Sequence, residues 1–137
     1  MEPRIKIIFY WVLIGICMIL HTQFSQMGLF FGESITMPEA TGTMPDGMYY
    51  FLVVGMIFPF IFSLLHLNVR AKWFVWISFI WSCLLIILNV YHFCETMFVE
   101  HAHVDQGCLL LFVLVINVLL TLDLYRMIRR PAADSPK

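Results

Sequence analysis

Charged residues are scarce in this sequence, and basic residues are missing altogether from two of the segments that separate its apolar runs. Only 12% of the 137 residues are charged, whereas 61% are hydrophobic. A soluble domain has about 25% charged residues, so this composition excludes an ordinary soluble domain. The basic residues also form no stripe of the kind that contacts phosphates, and the sequence therefore argues against nucleic-acid binding.

Sequence motifs for catalysis are lacking as well. The chain contains no C-x-x-C, no H-E-x-x-H and no pair of E-x-x-H motifs, which are typical of redox, zinc-protease and di-iron sites respectively. It also has no glycine-rich loop for a nucleotide cofactor. We therefore expect a protein that is not an enzyme.

Four long apolar runs make up most of the chain. They cover residues 7–31, 48–67, 73–93 and 108–122. A membrane-spanning helix needs about 20 predominantly apolar residues, which the first three runs provide. The fourth run reaches that length if it extends through residues 124–128. The sequence therefore predicts an all-α, four-span transmembrane up-down helix bundle that lies in a lipid bilayer.

The basic residues all lie at the same end of the predicted bundle. They are Arg4, Lys6, Arg70, Lys72, Arg126, Arg129, Arg130 and Lys137. The segments that follow the first and third runs hold no Lys or Arg. Their charged residues are Glu33, Glu39, Asp46, Glu95, Glu100 and Asp105. Because short loops rich in Lys and Arg stay on the cytoplasmic side, both termini are predicted to be cytoplasmic. The absence of a targeting extension favours the bacterial cytoplasmic membrane.

The chain is expected to form one domain. Residues 1–130 are predicted to be a single four-helix membrane domain, and residues 131–137 a disordered tail, because the tail is rich in Pro, Ala, Asp and Ser. The first run is expected to be retained, since no small-x-small cleavage site follows it. A homo-oligomer or a larger membrane complex is left open.

Polar residues recur along one face of the third run. Ser78, Ser82, Asn89, His92 and Thr96 follow one another at steps of four, seven, three and four, which keep to one side of a helix. Polar side chains in a membrane helix are costly and usually face the bundle interior. The sequence therefore predicts a polar seam inside the bundle, to which Asn117 and Thr121 of the fourth run, at i+4, can contribute. Pro59, in the second run, removes a backbone hydrogen bond and is predicted to kink the helix.

Four of the five histidines are predicted to lie towards the non-cytoplasmic side: His21, His92, His101 and His103. Glu95 follows His92 at i+3, so the two side chains can converge on one ligand. Imidazole and carboxylate groups suit zinc, copper and iron, whereas a heme would use His21 and His92 as its two axial ligands. The candidate metal ligands are His21, His92, Glu95, His101 and His103.

The functional hypothesis is a small integral membrane protein that binds a transition metal or heme at its outer face. An accessory subunit of a larger complex is one form that such a protein can take. One alternative is a structural or interaction subunit in which the histidines only join helices. Interhelical polar bonds average about 0.6 kcal/mol in membranes. Another alternative is a small oligomeric transporter. The sequence leaves these three open.

Two further expectations concern residues near the ends of the runs. His66 and Asp123 lie near the basic end. They are expected to be solvated residues at helix ends, with Asp123 able to meet Arg126 at i+3, and a direct pair between His66 and Asp123 is the alternative. Cys94 and Cys108 lie near the outer ends of the third and fourth runs. If the outer compartment is oxidising, these two thiols could form a disulfide.

Overall fold

The computed structural model describes residues 2–34, 42–99 and 104–129, and within these ranges the chain forms helices and no strands. The α-helices are α1 (Pro3–Ser25), α2 (Asp46–Leu52), α3 (Phe58–Asn68), α4 (Lys72–Cys94) and α5 (Val104–Arg129). A 3-10 helix, Met27–Phe31, follows α1. Two π-helical segments complete the structure: Val53–Ile57 joins α2 to α3, and Glu95–Val99 follows α4.

Four helical stretches are long and apolar enough to cross a membrane. They are span 1 (Pro3–Phe31), span 2 (Asp46–Asn68), span 3 (Lys72–Phe98) and span 4 (Val104–Arg129). This confirms the prediction of an all-helical chain with four apolar spans. The cytoplasmic location of the termini and the up-down course stay predictions that rest on the charge pattern. The tail at 131–137 lies outside the described residues.

Span 4 is longer than its apolar run indicates. The run ends before Asp123, yet α5 continues to Arg129. The helix can continue past Asp123 because two cations neutralise its carboxylate. Lys6 Nζ lies 3.1 Å from one carboxylate oxygen, and Arg126 Nη1 lies 3.0 Å from the other. The expected i+3 pairing with Arg126 is thus confirmed, and Lys6 adds a link from span 1 to span 4.

The core lies mainly between spans 1 and 4, which pack closely along their length. Fully buried apolar side chains recur at helical spacing on both. They are Ile7, Trp11, Val113, Leu120 and Leu124. Span 1 also packs against span 2, and span 3 packs against span 4. The remaining faces expose many large apolar side chains, as expected where lipid takes the place of water.

Spans 2 and 3 meet mainly through aromatic rings. Phe62 of span 2 stacks on Phe74 and Trp81 of span 3, with ring centroids 5.9 and 6.2 Å apart. Phe58 also contacts Trp81, at 5.6 Å between centroids. Phe62 in addition stacks on Trp11 of span 1 at 4.8 Å. Large rings thus bridge two helices whose backbones are not in close contact.

Pro59 accounts for the irregular helix in span 2. Proline has no N–H, so it cannot bond to the carbonyl of Gly55 four residues earlier, and its ring crowds that carbonyl. The preceding turn, Val53–Ile57, is π-helical, and the Phe58 N–H bonds back five residues to the Val53 carbonyl. The loss of a backbone hydrogen bond at Pro59 is therefore accommodated by a widened turn.

All four cysteines are free thiols, so the disulfide considered for Cys94 and Cys108 is not formed in this structure. Both of these cysteines are exposed, whereas Cys17 is buried against the core. The two exposed thiols lie on α4 and α5, at the end of the bundle away from the basic residues.

Candidate functional site

Two histidines from different spans meet inside the bundle, at the end opposite the basic residues. His21 lies near the end of α1, and His92 lies near the end of α4. Their Nε2 atoms are 3.0 Å apart. The rings meet edge to face, with centroids 5.0 Å apart and an angle of 89° between planes. The structure thus brings together the two histidines that the sequence analysis placed first among the candidates.

The contact crosses the interior of the bundle. Spans 1 and 3 each pack on span 4, and neither packs closely along the other. Long imidazole side chains are therefore needed to join them. Both rings are half-buried, so each is partly covered by neighbouring side chains and partly exposed.

Span 4 supplies a third polar group beside the pair. Gln106, only 5% exposed, donates from Nε2 to the His21 carbonyl oxygen at 3.4 Å. Three buried polar atoms near this end have no hydrogen-bond partner among the described residues: Gln106 Oε1, His21 Nδ1 and Thr96 Oγ1. A buried polar atom without a partner is costly. This end of the bundle therefore offers unused hydrogen-bonding capacity to water, an ion or a ligand.

The polar seam of span 3 faces the interior, as predicted. Ser78 and Ser82 are completely buried and Thr96 is 2% exposed. The hydroxyl of Ser82 accepts a hydrogen bond from the Thr121 hydroxyl of span 4 at 3.0 Å. Asn89 and His92 line a cavity between the spans. The stripe therefore continues from the basic half of the bundle to the histidine pair.

His66 was placed wrongly by the sequence analysis. It is 1% exposed and not solvated. Its Nε2 atom is 2.8 Å from the Ser78 hydroxyl, and its ring contacts Phe74 with centroids 4.7 Å apart. The aromatic contacts that bridge spans 2 and 3 enclose it, and the sequence gives no signal for their position. Asp123 is also largely enclosed, with 12% of its side chain exposed, and not a solvated helix end.

Span 4 buries two polar side chains, Asn117 and Gln106; the sequence analysis placed Asn117 in the polar seam but did not select Gln106. Asn117 is completely buried in span 4, and neither its Nδ2 nor its Oδ1 has a hydrogen-bond partner among the described residues. Asn117 precedes Thr121 by one helical turn, a spacing that signals a shared face. For Gln106, which precedes the apolar run, no comparable signal exists.

Of the remaining candidate ligands, the structure describes only Glu95. Glu95 begins the π-helical segment after α4 and is half-buried. Across residues 2–34, 42–99 and 104–129, no group of three or more His, Cys, Asp or Glu side chains is arranged to hold a metal ion. His101 and His103 lie outside the described residues. The described site is therefore a pair of imidazoles with neighbouring hydrogen-bonding groups.

The two imidazole rings are too close together to hold a heme between them. Axial nitrogens in a bis-histidine heme lie about 4 Å apart with the porphyrin between them. His21 and His92 touch at 3.0 Å, which leaves no gap for a macrocycle between the rings. Two imidazole ligands of one zinc ion lie about 3.3 Å apart, since each Zn–N bond is about 2.0–2.1 Å.

Comparison with known proteins does not assign a function to this arrangement of residues. No family model, curated protein or solved structure matches the chain. The function must therefore be inferred from the arrangement of the spans and of the two histidines.

Proposed function

We propose that this protein is a small integral membrane protein that binds a transition-metal ion between His21 and His92. The site lies near the face predicted to be non-cytoplasmic. The observation that supports the proposal most strongly is the 3.0 Å separation of the two Nε2 atoms, which come from different spans. Neutral imidazole nitrogen is the commonest protein ligand for such ions.

Little rearrangement is needed for an ion to enter. Two nitrogens in tetrahedral coordination around zinc lie about 3.3 Å apart, so the pair has to open by only a few tenths of an ångström. His21 Nδ1 can then carry the ring proton and donate a hydrogen bond to a neighbour, as metal-bound histidines usually do. Gln106 Oε1, which lacks a protein partner, is an acceptor at the same end of the bundle.

Two imidazoles do not complete a coordination shell, and the chain supplies further ligand types nearby in sequence. Glu95 follows His92 by one turn, and His101 and His103 come shortly afterwards. Nitrogen and carboxylate ligands favour zinc, whereas a thioether favours Cu(I). Met18, one turn before His21, lines the same cavity as His92 and is a candidate for that softer ligand.

Metal titration of the purified protein in lipid nanodiscs tests the proposal. We expect the wild type to bind one Zn²⁺ or Cu⁺ ion per chain and His92→Gln to bind it at least tenfold more weakly. Glutamine keeps a hydrogen-bonding side chain but is a poor metal ligand. His66→Gln is the matched control, because His66 lies at the other end of the bundle. Equal metal affinity in wild type and His92→Gln would overturn the proposal.

One specific observation favours a second candidate, a structural role. The distance of 3.0 Å between the two Nε2 atoms is also an ordinary hydrogen-bond length, and one such bond between helices contributes about 0.6 kcal/mol in a membrane. On this hypothesis the protein serves as a structural or accessory subunit. His21→Ala and His92→Ala would then each lower stability without changing metal content.

A further inference from the structure

We propose that Arg4, Arg70 and Lys72 bind the phosphate group of an anionic phospholipid, at the end of the bundle predicted to be cytoplasmic. Arg4 lies in the first turn of span 1, Arg70 lies between spans 2 and 3, and Lys72 begins α4. The histidine pair lies at the opposite end of the bundle, so the proposal does not depend on metal binding.

Two hydrogen bonds bring Arg4 to the segment that carries Arg70. Arg4 Nη2 donates to the carbonyl oxygen of Val69 at 2.9 Å, and Arg4 Nε donates to the carbonyl oxygen of His66. Val69 immediately precedes Arg70, and the two arginines are close enough for their charges to repel each other. Neither bond uses Arg4 Nη1, which carries two further N–H groups. An anion beside both arginines relieves the repulsion and can accept hydrogen bonds from that nitrogen.

Little negative charge at this end is left to neutralise these residues. Asp123 already pairs with Lys6 and Arg126. Glu2 attracts Arg4 but supplies only one carboxylate for the three cations of the proposed site. The site therefore keeps an excess of positive charge, which favours a ligand with a net negative charge over a zwitterionic one.

Arg70 and Lys72 are able to reach such a ligand. Both side chains are exposed, and within residues 2–34, 42–99 and 104–129 neither forms a salt bridge. Arginine binds phosphate through paired N–H groups, and lysine binds it as a point charge. A phosphate group, with its negative charge spread over its oxygens, suits this combination of donors.

The surroundings favour a lipid over free phosphate. Trp73 follows Lys72 and is 61% exposed, as is typical of tryptophan at a membrane–water interface. Exposed apolar side chains continue along the same face of α4 at Ile77, Ile80 and Leu84, where an acyl chain can lie. The cytoplasmic surface of a membrane carries anionic lipids, which basic residues next to a membrane helix attract.

Native mass spectrometry of the full-length protein in detergent micelles counts the lipid molecules that are bound. We expect the first phosphatidylglycerol to bind at least about tenfold more tightly than the first phosphatidylcholine, because each basic residue near the membrane surface favours an anionic lipid by about fivefold. Equal affinities for the two lipids would overturn the proposal.

Single substitutions locate the site. Arg70→Gln and Lys72→Gln should each weaken phosphatidylglycerol binding by about fivefold and keep the helical circular-dichroism signal of the wild type. Arg129→Gln is the matched control. It removes the same charge from the same end of the bundle, but from a side chain that lies 4.5 Å from the centre of the Tyr125 ring, and it should leave the affinity unchanged. Wild-type affinity in both Arg70→Gln and Lys72→Gln, or an equal loss in Arg129→Gln, would show that these residues do not form the site.

An excess of inorganic phosphate separates the two sources of the phosphate group. It should not displace phosphatidylglycerol, because the lipid also contacts the apolar face of α4 that begins at Trp73. Complete displacement would mean that the site takes free phosphate, and the assignment to a lipid would be wrong. Arg70→Gln and Lys72→Gln should keep the wild-type affinity for Zn²⁺, so failure of the lipid proposal leaves the metal proposal untouched.

Discussion

Arg4, in the first turn of span 1, donates a hydrogen bond from Nη2 to the Val69 carbonyl at the end of span 2, at 2.9 Å. Its Nε atom also donates to the His66 carbonyl. The last carbonyls of a helix have no partner within the helix, and a cation there is favourable to the helix dipole. Arg4, one of the basic residues from which the orientation in the membrane was predicted, thus also caps the C-terminal end of span 2.

Replacing Arg4 should destabilise the bundle. Arg4→Gln shortens the side chain and removes the charge, so the carbonyls of His66 and Val69 lose their donor. We expect a loss of about 1–2 kcal/mol in the free energy of unfolding, in line with hydrogen bonds that involve a charged group. Unfolding in mixed micelles measures it. The control is Arg70→Gln, which replaces an exposed basic residue next to Val69. It should change stability by less than about 0.5 kcal/mol.

Span 4 allows a direct comparison of a satisfied and an unsatisfied polar residue. The Asn117 side chain is fully buried without a hydrogen-bond partner among the described residues. The Thr121 hydroxyl, by contrast, lies within hydrogen-bonding distance of the Ser82 hydroxyl and of the backbone carbonyl of Asn117. Asn117→Leu should therefore leave the free energy of unfolding unchanged or raise it, because no bond is lost. Thr121→Val should lower it by about 0.6 kcal/mol. A larger loss for Asn117→Leu would show that Asn117 has a partner, such as a buried water.

The length of the apolar runs predicted the four spans, and helical spacing predicted the interior seam of span 3. The polar positions near the outer ends of spans 1 and 3 pointed to His21 and His92, which meet. It could not give the order in which the spans pack, because a face that meets lipid and a face that meets another helix are both apolar. The burial of His66, the cavity beside Asn89 and the role of Gln106 all depend on that order.

The topology that the basic residues predict is open to a direct test. Short loops rich in Lys and Arg stay cytoplasmic, so a fluorescent reporter fused after Lys137 should be fluorescent inside the cell. An alkaline phosphatase inserted at the same position should be inactive, because that enzyme needs the oxidising outer compartment. Active phosphatase would reverse the orientation and place the histidine pair at the cytoplasmic end.

Two glycines of neighbouring spans should respond differently to the same substitution. A Cβ added at Gly15 would lie 2.7 Å from the Phe60 ring, whereas one added at Gly55 meets only Met18 at 3.8 Å. Gly15→Ala should therefore lower the free energy of unfolding by about 1 kcal/mol through overpacking. Gly55→Ala should be neutral or stabilising, since alanine favours a helix. If both variants were equally stable, the close approach of spans 1 and 2 at Gly15 would be in doubt.

Metal binding by the histidine pair should make the free energy of unfolding depend on the metal concentration. An ion that binds the folded protein and not the unfolded chain stabilises it by about 2.7 kcal/mol when its free concentration is one hundred times its dissociation constant. We therefore expect Zn²⁺ or Cu⁺ to raise the unfolding free energy of the wild type, measured in mixed micelles, by about that amount. His92→Gln should show an increase of no more than about 1.4 kcal/mol, the value for a tenfold weaker affinity at the same metal concentration. Without metal it should be less stable than the wild type by at most about 0.6 kcal/mol, because the amide can still reach across to His21. His66→Gln should keep the metal-dependent increase even though its own stability is lower. An equal increase in wild type and His92→Gln would mean that the ion binds elsewhere, and the contact of 3.0 Å between His21 and His92 would then serve only to join spans 1 and 3.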